Sequence, residues 1–260
     1  MPGTSPARSS QPAGHCGQPA SGQPASADDG WAPAPSRPRL PGGALHVWRA
    51  DLTAVSDELA ALLCAGERAR ADRLVSERTR RLWTRSRGVL RALLGLYLQR
   101  DPSTMRFSTG PHGKPALRGG GRRSPAAASS GADLPELSFN LSHSRGLALF
   151  AFTGAGPVGI DVEVARRPID ELAIAARTFG AEETRHLEDL EPTLRRQEFL
   201  RAWTRHEAAL KCRGSGIGGS GGSRASAGRL WITGLDVGAA GAAAVALERP
   251  ARGLRCWEWA

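Results

Sequence analysis

One alternating segment, VGIDVEV at residues 158–164, constrains the fold of this chain more than any other feature. Apolar residues occupy every second position, which is the period of a β-strand whose two faces differ. Asp161 and Glu163 therefore leave the strand on the same face. The sequence predicts a strand that presents two carboxylates together.

A helical segment downstream, WTRHEAALK at residues 203–211, carries a third carboxylate. Glu207 and Lys211 are four residues apart, so both side chains lie on one face of the helix. Together with Asp161 and Glu163, Glu207 would supply three carboxylates. Such oxygen ligands suit a hard cation such as Mg²⁺, which keeps open positions for water and phosphate oxygens. Because Lys211 could hold a phosphate one turn further on, the pattern indicates a metal site with an attached phosphate clamp.

Each of these groups also has an ordinary structural explanation. A Glu and a Lys four residues apart commonly form a solvated salt bridge on a helix surface, which would account for Glu207 and Lys211. Acidic residues beside a strand end are often surface charges, which would account for Asp161 and Glu163. The apolar setting of the strand and two phosphate-compatible segments upstream favour the metal site.

The two upstream segments carry residues suited to a phosphate. In RFSTGPHGKPAL, residues 106–117, two glycines and two prolines predict a rigid turn that presents Lys114 to one side. In SFNLSHS, residues 138–144, an apolar alternation ends in hydroxyl groups and a histidine. Ser142 and His143 would therefore lie at a strand end that a ligand can reach. His143 alone could also be a structural residue that hydrogen-bonds to a neighbouring backbone group.

Low-complexity segments reduce the length of chain that can fold. Residues 1–43 are rich in Pro, Ala, Gly, Ser and Gln, and they almost entirely lack the large apolar residues that would offset the entropy of folding. We expect this segment to be a disordered tail. The glycine-rich and serine-rich stretches at residues 119–131 and 213–228 are expected to be flexible surface loops.

The order of predicted elements divides the remaining chain into two similar halves. Strands are predicted at residues 45–52, 105–108, 137–141, 147–152, 158–163, 230–237, 243–248 and 254–259. Helices are predicted at residues 56–64, 169–177, 181–190 and 192–211, and residues 67–100 are predicted to form one or two helices. Each half therefore contains a strand, then helices, then further strands. This order indicates an α+β fold of two similar modules, residues 44–153 and 154–260, each a small, mainly antiparallel sheet packed with helices.

Charge, cysteine spacing and hydropathy narrow the functional classes. The net charge of +10 fits a nucleic acid, an acidic protein or a polyphosphate ligand, but no recognisable nucleic-acid-binding motif accompanies it. Four cysteines without C-x-x-C spacing support neither a disulfide framework nor a zinc site. No apolar run has the length of a membrane span, and the start lacks the apolar region of a secretory signal. We expect a cytoplasmic protein that binds neither nucleic acid nor membrane.

Four motifs in order, GKP, FNLSHS, GIDVE and W-T-x-x-E-A-x-x-K, give the chain a family resemblance. Over residues 45–259 it resembles the 4′-phosphopantetheinyl transferases of the two-domain, surfactin-synthetase-activating type, and the joint occurrence of the motifs is far more specific than any one of them. The resemblance implies an enzyme that moves the phosphopantetheine arm of coenzyme A to a serine of an apo carrier protein and releases adenosine 3′,5′-bisphosphate. It also implies two halves related by pseudo-twofold symmetry, with the coenzyme between them.

The resemblance assigns roles to individual residues. It implies Mg²⁺ ligands at Asp161, Glu163 and Glu207, phosphate binding by Lys211, and contacts with the coenzyme phosphates by Lys114, Ser142 and His143. Arg87 falls near a position that lies close to the adenine nucleotide in relatives, whereas a solvated helix face suits Arg85 about as well. The attacking serine hydroxyl needs a base, and either Glu207 or a water held by the metal is the candidate.

His206 departs from the family pattern, which usually has a lysine immediately before the helix glutamate. A histidine there would be mostly neutral at pH 7 unless an anion raises its pKa. A permanent positive charge near the phosphates would then be missing. We therefore expect a working site with weaker coenzyme binding at high pH.

The partner and two other functional classes stay open at this point. The resemblance implies a monomer that serves acidic acyl or peptidyl carriers of fatty-acid, polyketide or nonribosomal-peptide synthesis. A non-catalytic module that binds carrier proteins or coenzyme A would keep the same fold without needing three carboxylates. A nucleic-acid-binding protein would instead show salt-sensitive affinity for DNA and no need for Mg²⁺.

Overall fold

The computed structural model describes residues 30–110, 114–118, 137–165, 169–214 and 228–260. Within these ranges the chain is an α+β protein with mixed sheets and helices, as the sequence predicts. No helix within them is both long enough and apolar enough to cross a membrane. The disorder predicted for residues 1–29, the loop predicted at 119–131 and residues 215–227 of the loop predicted at 213–228 lie outside the described residues.

The described elements follow the predicted order, with two additional short strands, β1 and β4. The strands are β1 (Ala32–Pro33), β2 (Ala44–Asp51), β3 (Phe107–Thr109), β4 (Pro115–Leu117), β5 (Ser138–Ser144), β6 (Leu147–Thr153), β7 (Val158–Val164), β8 (Trp231–Leu235), β9 (Gly241–Leu247) and β10 (Gly253–Glu258). The helices are α1 (Ala65–Asp72), α2 (Glu77–Leu98), α3 (Glu171–Thr178), α4 (Ala181–Glu188) and α5 (Pro192–Arg213), with 3₁₀-helices at Asp57–Leu62 and Pro102–Thr104. The helical stretch predicted at 67–100 is interrupted before Ser76, whose Oγ caps α2 by accepting from the Thr79 N–H at 3.4 Å.

A five-stranded mixed sheet contains strands from both ends of the chain. Its order is β1-β10-β2-β6-β5, in which β1, β10 and β2 run parallel, whereas β2, β6 and β5 are antiparallel neighbours. α2 covers one face of this sheet, where Trp48, Phe150 and Phe152 pack with Leu90 and Leu93. The large buried area of these aromatic side chains fixes α2 on the sheet.

A second sheet of three antiparallel strands packs against the first. Its order is β7-β9-β8. Val47 and Leu149 of the first sheet meet Ile160 and Val245 of the second in one apolar cluster. α5 covers the opposite face of the second sheet, where Ala208 packs against alanines of β9. The molecule therefore has four layers: α2, the first sheet, the second sheet and α5.

The last strand lies in a different sheet from the one predicted. The sequence places β10 in the module 154–260, but β10 pairs in parallel with β2 in the first sheet. Apolar side chains stand on both faces of β10, since Leu254 and Cys256 pack toward the second sheet while the Trp257 ring lies 4.9 Å from the Trp48 ring. The first sheet has packed layers on both sides, so both sets of side chains find contacts there. The first sheet is consequently mixed rather than mainly antiparallel.

Residues 30–43 are described, although the sequence predicts disorder for them. The prediction is wrong for this segment, because β1 pairs with β10. The Trp31 indole Nε1 donates to the carbonyl oxygen of Asp236 at 2.6 Å, and the Arg49 guanidinium lies 4.8 Å from the centre of the Trp31 ring. One large aromatic side chain supplies the packing surface that the average composition of the segment conceals.

Candidate active site

A cavity of about 510 Å³ opens between α1 and α2 on one side and β4, β5 and α5 on the other. Five of the site residues predicted from the sequence line it: Arg87, Lys114, Ser142, His143 and Lys211. The three predicted metal ligands lie on β7 and α5, and Asp161 contacts both Ser142 and Lys211. The structure therefore brings the predicted residues to one region of the molecule.

Asp161 is buried and holds the Lys211 ammonium. Its Oδ1 accepts from Lys211 Nζ at 2.6 Å and from the Ser142 hydroxyl at 2.8 Å. Lys211 Nζ also donates to Ser142 Oγ at 3.1 Å and to the Ile160 carbonyl oxygen at 3.2 Å. The second carboxylate oxygen, Asp161 Oδ2, is buried and has no hydrogen-bond partner in the described structure. A buried carboxylate oxygen without a partner is costly, so it marks a position suited to a donor or a cation.

Glu163 and Glu207 complete the acidic group. Glu163 Oε2 accepts from the Ser144 hydroxyl at 2.9 Å. Glu207 is buried, and its Oε1 has no hydrogen-bond partner among the described residues. Burial raises the pKa of Glu207, the charges of Asp161 and Glu163 raise it further, and only Lys211 opposes them. The carboxylates therefore repel one another across the site.

Close contact between β7 and α5 brings these residues together. Gly159 has no side chain, and a Cβ atom there would lie 2.0 Å from the Ala208 carbonyl oxygen and 2.4 Å from the Cys212 backbone nitrogen. The helix consequently lies directly on the backbone of the strand. Glu207 and Lys211, one turn apart on α5, both reach β7 because of this contact.

The acidic group fits a divalent cation by its chemistry, although its side chains are not arranged as a complete metal site. In the described part of the chain, no three His, Cys, Asp or Glu side chains approach closely enough to form a metal-binding group. The Lys211 ammonium instead provides positive charge at Asp161. Two buried oxygens, Asp161 Oδ2 and Glu207 Oε1, have no other partner there and are ligands of the kind that Mg²⁺ prefers. The residues present therefore fit Mg²⁺.

Lys114 and His143 lie beside this group in the cavity wall. Lys114 Nζ donates to the carbonyl oxygens of Val158 and Lys211, both at 2.8 Å. Because a lysine ammonium has three donors, one N–H is unused in the described structure. Burial lowers the pKa of Lys114, which Cys212 opposes and Lys211 reinforces. Desolvation and then the Lys211 charge lower the pKa of His143, so its ring is neutral near pH 7.

The opposite wall of the cavity is basic and aromatic. Arg87 Nη2 donates to Glu67 Oε1 at 2.9 Å, and the buried Arg91 donates through Nε to Glu67 Oε2 at 2.7 Å. Desolvation acts to raise the pKa of Glu67, but the two guanidinium charges outweigh it and hold the pKa below its ordinary value. Arg70 and Arg87 each lie 5.8 Å from the centre of the Trp83 ring. Two cations and the Trp83 ring thereby line this side of the cavity.

A buried hydroxyl group adds to this wall. Ser86 lines the cavity, and its Oγ has no hydrogen-bond partner among the described residues. An unsatisfied hydroxyl beside guanidinium groups suits an anion. Sequence reasoning identified Arg87 but missed Glu67, Trp83 and Ser86, because only the contact between α1 and α2 reveals them. The one available signal was a lone glutamate among the arginines of α1.

Arg85 has a structural role instead. Its Nε donates to Asp57 Oδ1 at 2.7 Å, and its Nη1 donates to the carbonyl oxygens of Leu52 at 2.7 Å and Thr53 at 2.9 Å. The side chain therefore ties α2 to the end of β2 and to the first 3₁₀-helix. It is not the solvated helix residue that the sequence allowed.

Comparison with known proteins identifies the family. The sequence model described as the 4′-phosphopantetheinyl transferase superfamily matches residues 157–227. HetI from Nostoc sp. is 38% identical over 190 residues, which are 72% of this chain and 76% of HetI. Sfp from Bacillus subtilis is 32% identical over 129 residues, 50% of each chain, and both relatives are named 4′-phosphopantetheinyl transferases. The chain therefore belongs to the 4′-phosphopantetheinyl transferase superfamily.

Proposed function

We propose that this protein is a 4′-phosphopantetheinyl transferase that moves the phosphopantetheine arm of coenzyme A to a serine of an apo acyl or peptidyl carrier protein. One observation carries the proposal: a single cavity has Lys211, which is paired with the buried Asp161, on one side and an arginine and tryptophan wall on the other. The names of HetI and Sfp support the same activity.

The wall formed by α1 and α2 suits the nucleotide end of coenzyme A. Trp83 offers a ring face to a base, while Arg70 and Arg87 offer positive charge to a phosphate. The free hydroxyl of Ser86 provides a hydrogen bond that nothing in the described structure uses. Arg87 is therefore a coenzyme-binding residue in this proposal.

The pyrophosphate of the coenzyme would lie against the opposite wall. Lys211 supplies a fixed positive charge there, and Lys114 has one N–H without an acceptor among the described residues. Ser142 and His143 line the same part of the cavity and can donate or accept hydrogen bonds. Fixed charges and donors of this kind stabilise the negative charge that develops on the pyrophosphate during transfer.

Asp161, Glu163 and Glu207 would hold Mg²⁺ in this proposal. When bound, the ion would neutralise charge on the pyrophosphate. Two buried carboxylate oxygens that have no partner in the described part of the chain support this assignment. Burial raises the pKa of Glu207, and the negative charges of Asp161 and Glu163 raise it further. A cation would relieve the repulsion between these carboxylates, which supports the assignment as well.

The transfer exchanges one bond to phosphorus for another. The serine oxygen of the carrier bonds to the β-phosphorus while the bond from that phosphorus to the bridging oxygen breaks, which releases adenosine 3′,5′-bisphosphate. Glu207 is the candidate base for the serine proton, because its raised pKa increases its proton affinity. If Glu207 Oε1 is occupied as a ligand, a water oxygen has to accept the proton instead.

We also infer that residues 44–153 and 154–260 are two modules related by pseudo-twofold symmetry. The order β2-β6-β5 in the first sheet and β7-β9-β8 in the second both place the first strand beside the third and the third beside the second. α2 and α5 have 22 residues each and cover the outer faces of the two sheets. β10 departs from the symmetry, because it adds to the first sheet only.

The proposal includes an acidic carrier protein as the partner of a cytoplasmic monomer. The net charge of +10 supports an acidic partner. Arg68, Arg78 and Arg81 are exposed on the two helices that form the basic wall of the cavity. Opposite charges on two partners steer their encounter and accelerate association.

The test incubates the protein with coenzyme A, Mg²⁺ and an apo carrier protein and measures the intact mass of the carrier. We expect the wild type to add one phosphopantetheine group and Glu207→Gln to add none. Glu198→Gln is the matched control, because Glu198 is a partly exposed glutamate of the same helix and pairs with Arg201. Coenzyme binding without any mass shift, across several carrier types, would contradict transfer and indicate a non-catalytic binding module.

A further inference from the structure

β5 and β7 lie side by side, yet they belong to different sheets and are joined by side chains. The joining residues are Asn140, Ser142 and Ser144. They occupy alternate positions of β5 and therefore share one face of the strand. We call these three residues the β5 ladder.

The first two residues of the β5 ladder meet consecutive positions of β7. Asn140 Oδ1 accepts from the Ile160 N–H at 2.9 Å. Ser142 Oγ donates to Asp161 Oδ1 at 2.8 Å. The ladder thus takes the place of backbone pairing between the two strands and reaches the first acidic residue of the site.

Ser144, the third residue, makes two contacts with β7. Its Oγ donates to Glu163 Oε2 at 2.9 Å and accepts from the Val164 N–H at 3.2 Å. One hydroxyl group thereby ties the Glu163 carboxylate to the backbone that follows it. Ser144 is 2% exposed and does not line the cavity. Its direct contact with the acidic group is therefore the one with Glu163.

Because Asn140 and Ser144 are buried, their hydrogen bonds restrict the conformations of the side chains that they join. Asn140 is 3% exposed, and buried polar groups of this kind depend on their partners. A glutamate without such a partner has several rotamers open to it, so the Ser144 hydroxyl selects among them.

We propose that the β5 ladder positions the acidic residues of β7 and that Ser144 is a positioning residue for Glu163. The inference rests on the proposed function, which makes Glu163 a ligand of Mg²⁺. Ser144 does not touch the substrate and acts by limiting the directions in which the Glu163 carboxylate can turn. Partners that orient a metal ligand typically change metal affinity by about 10-fold to 100-fold.

A ladder that only joined the two sheets would behave differently. Loss of the Ser144 hydroxyl would then lower the stability of the fold and leave the metal affinity of the folded protein unchanged. Thr153 provides a matched control, because its buried hydroxyl also makes two hydrogen bonds, to the Ala44 carbonyl oxygen at 2.8 Å and from the Ala155 N–H at 3.1 Å. Neither partner of Thr153 belongs to β7.

The test measures the Mn²⁺ affinity by electron paramagnetic resonance, with and without coenzyme A, and the midpoint of urea unfolding. We expect Ser144→Ala to bind Mn²⁺ about tenfold more weakly than the wild type. Ser144→Thr, which keeps the hydroxyl, should restore most of the affinity. Thr153→Val should lower the unfolding midpoint and keep the Mn²⁺ affinity of the wild type.

A double-mutant cycle with Glu163→Gln tests whether Ser144 acts through Glu163. In the Glu163→Gln background, Ser144→Ala should cause no further loss of Mn²⁺ affinity. Independent losses in the double variant would overturn the inference, and so would equal affinities of the wild type and Ser144→Ala. If Ser144→Ala does not fold, Ser144→Cys takes its place, because its thiol has a similar shape and is a weak donor.

Failure of the proposed function would be recognised separately. A wild-type protein that does not transfer phosphopantetheine would contradict the proposed function, while the Mn²⁺ affinities of the variants would still decide the role of Ser144. A folded wild-type protein that transfers phosphopantetheine but binds no Mn²⁺ in either condition would overturn the positioning role alone.

Discussion

At the scale of single residues, Lys211 places a positive charge beside the Asp161 carboxylate. All three of its ammonium protons have acceptors, which are Asp161 Oδ1, Ser142 Oγ and the Ile160 carbonyl oxygen. The positive charge is therefore fixed in place by the protein itself. A charge that needs no reorganisation during the reaction is the most effective kind for stabilising a developing negative charge.

Replacing this charge should impair transfer more than folding. We expect Lys211→Met to lower the transfer rate at saturating coenzyme A by about 100-fold, because one fixed charge is lost while the apolar stem remains. Arg205→Met removes a positive charge from an exposed position of the same helix and should keep the wild-type rate. The rate of carrier modification measures both effects, and an unchanged rate for Lys211→Met would contradict a role in the reaction.

The position of His206 on α5 determines which residues its side chain can contact. The sequence suggests a place near the phosphates, but the His206 ring lies 6.0 Å from the Phe179 ring and 6.4 Å from the Trp203 ring. Successive helix residues point about 100° apart, so His206 points to one side of β7 when Glu207 faces it. Burial also lowers the pKa of His206. We therefore expect no contribution of this residue to the pH dependence of coenzyme binding.

At the scale of elements, the sequence predicts β7 and α5 well but does not show which other elements meet. The alternation around Asp161 and the four-residue step from Glu207 to Lys211 are local patterns, and both elements have them. Glu67 and Arg87 stand 20 residues apart, and each fits a solvated helix on its own. Only the packing of α1 on α2 turns them into a cavity wall. The position of β10 could not be predicted for the same reason. Its sequence indicates a strand but does not show which of the two sheets the strand joins.

The contact of α5 with β7 should be sensitive to a single methyl group. We expect Gly159→Ala to lower the free energy of unfolding by about 1 to 3 kcal/mol or more, because the added Cβ would meet backbone atoms of α5 such as the Ala208 carbonyl oxygen at 2.0 Å. The same displacement should slow transfer, since it moves Glu207 and Lys211. Urea unfolding and the rate of carrier modification measure the two effects.

Gly234→Ala is the control for this substitution. Gly234 lies in β8 of the same sheet, and a Cβ atom there would come no closer than 3.9 Å to the Ala243 carbonyl oxygen. That distance is an ordinary van der Waals contact, so the variant should unfold and react much like the wild type. Equal effects of the two alanine substitutions would show that the close approach of α5 is not what constrains Gly159.

At the scale of the whole molecule, a polar aromatic cluster ties two neighbouring strands of the first sheet, β2 and β10, to α2. The Tyr97 hydroxyl oxygen lies 2.8 Å from both His46 Nδ1 and Trp48 Nε1. The Trp257 ring of β10 lies 4.5 Å from the His46 ring, edge to face. Because an indole N–H can only donate, Tyr97 accepts from Trp48 and is free to donate its own proton to His46 Nδ1. This arrangement requires a neutral imidazole.

The cluster should make the stability of the whole molecule depend on pH. Desolvation, and then the charge of Arg255, lower the pKa of His46 from 6.5 to about 4. The unfolded chain takes up this proton near pH 6.5 and the folded chain only near pH 4, so the stabilisation is present above pH 6.5 and is lost between these values. At about 1.4 kcal/mol for each pKa unit, the loss amounts to about 3 kcal/mol.

Urea unfolding of the wild type and of His46→Gln, at about pH 7 and about pH 4.5, measures this contribution. Glutamine can still accept from the Tyr97 hydroxyl but does not titrate, so the free energy of unfolding should fall less steeply with pH in the variant. Carboxylates and other histidines affect both proteins equally, and the difference between the two slopes therefore isolates His46. Identical slopes would mean that His46 takes up its proton in the folded protein as readily as in the unfolded chain. The polar aromatic cluster would then not make the stability of the molecule depend on pH.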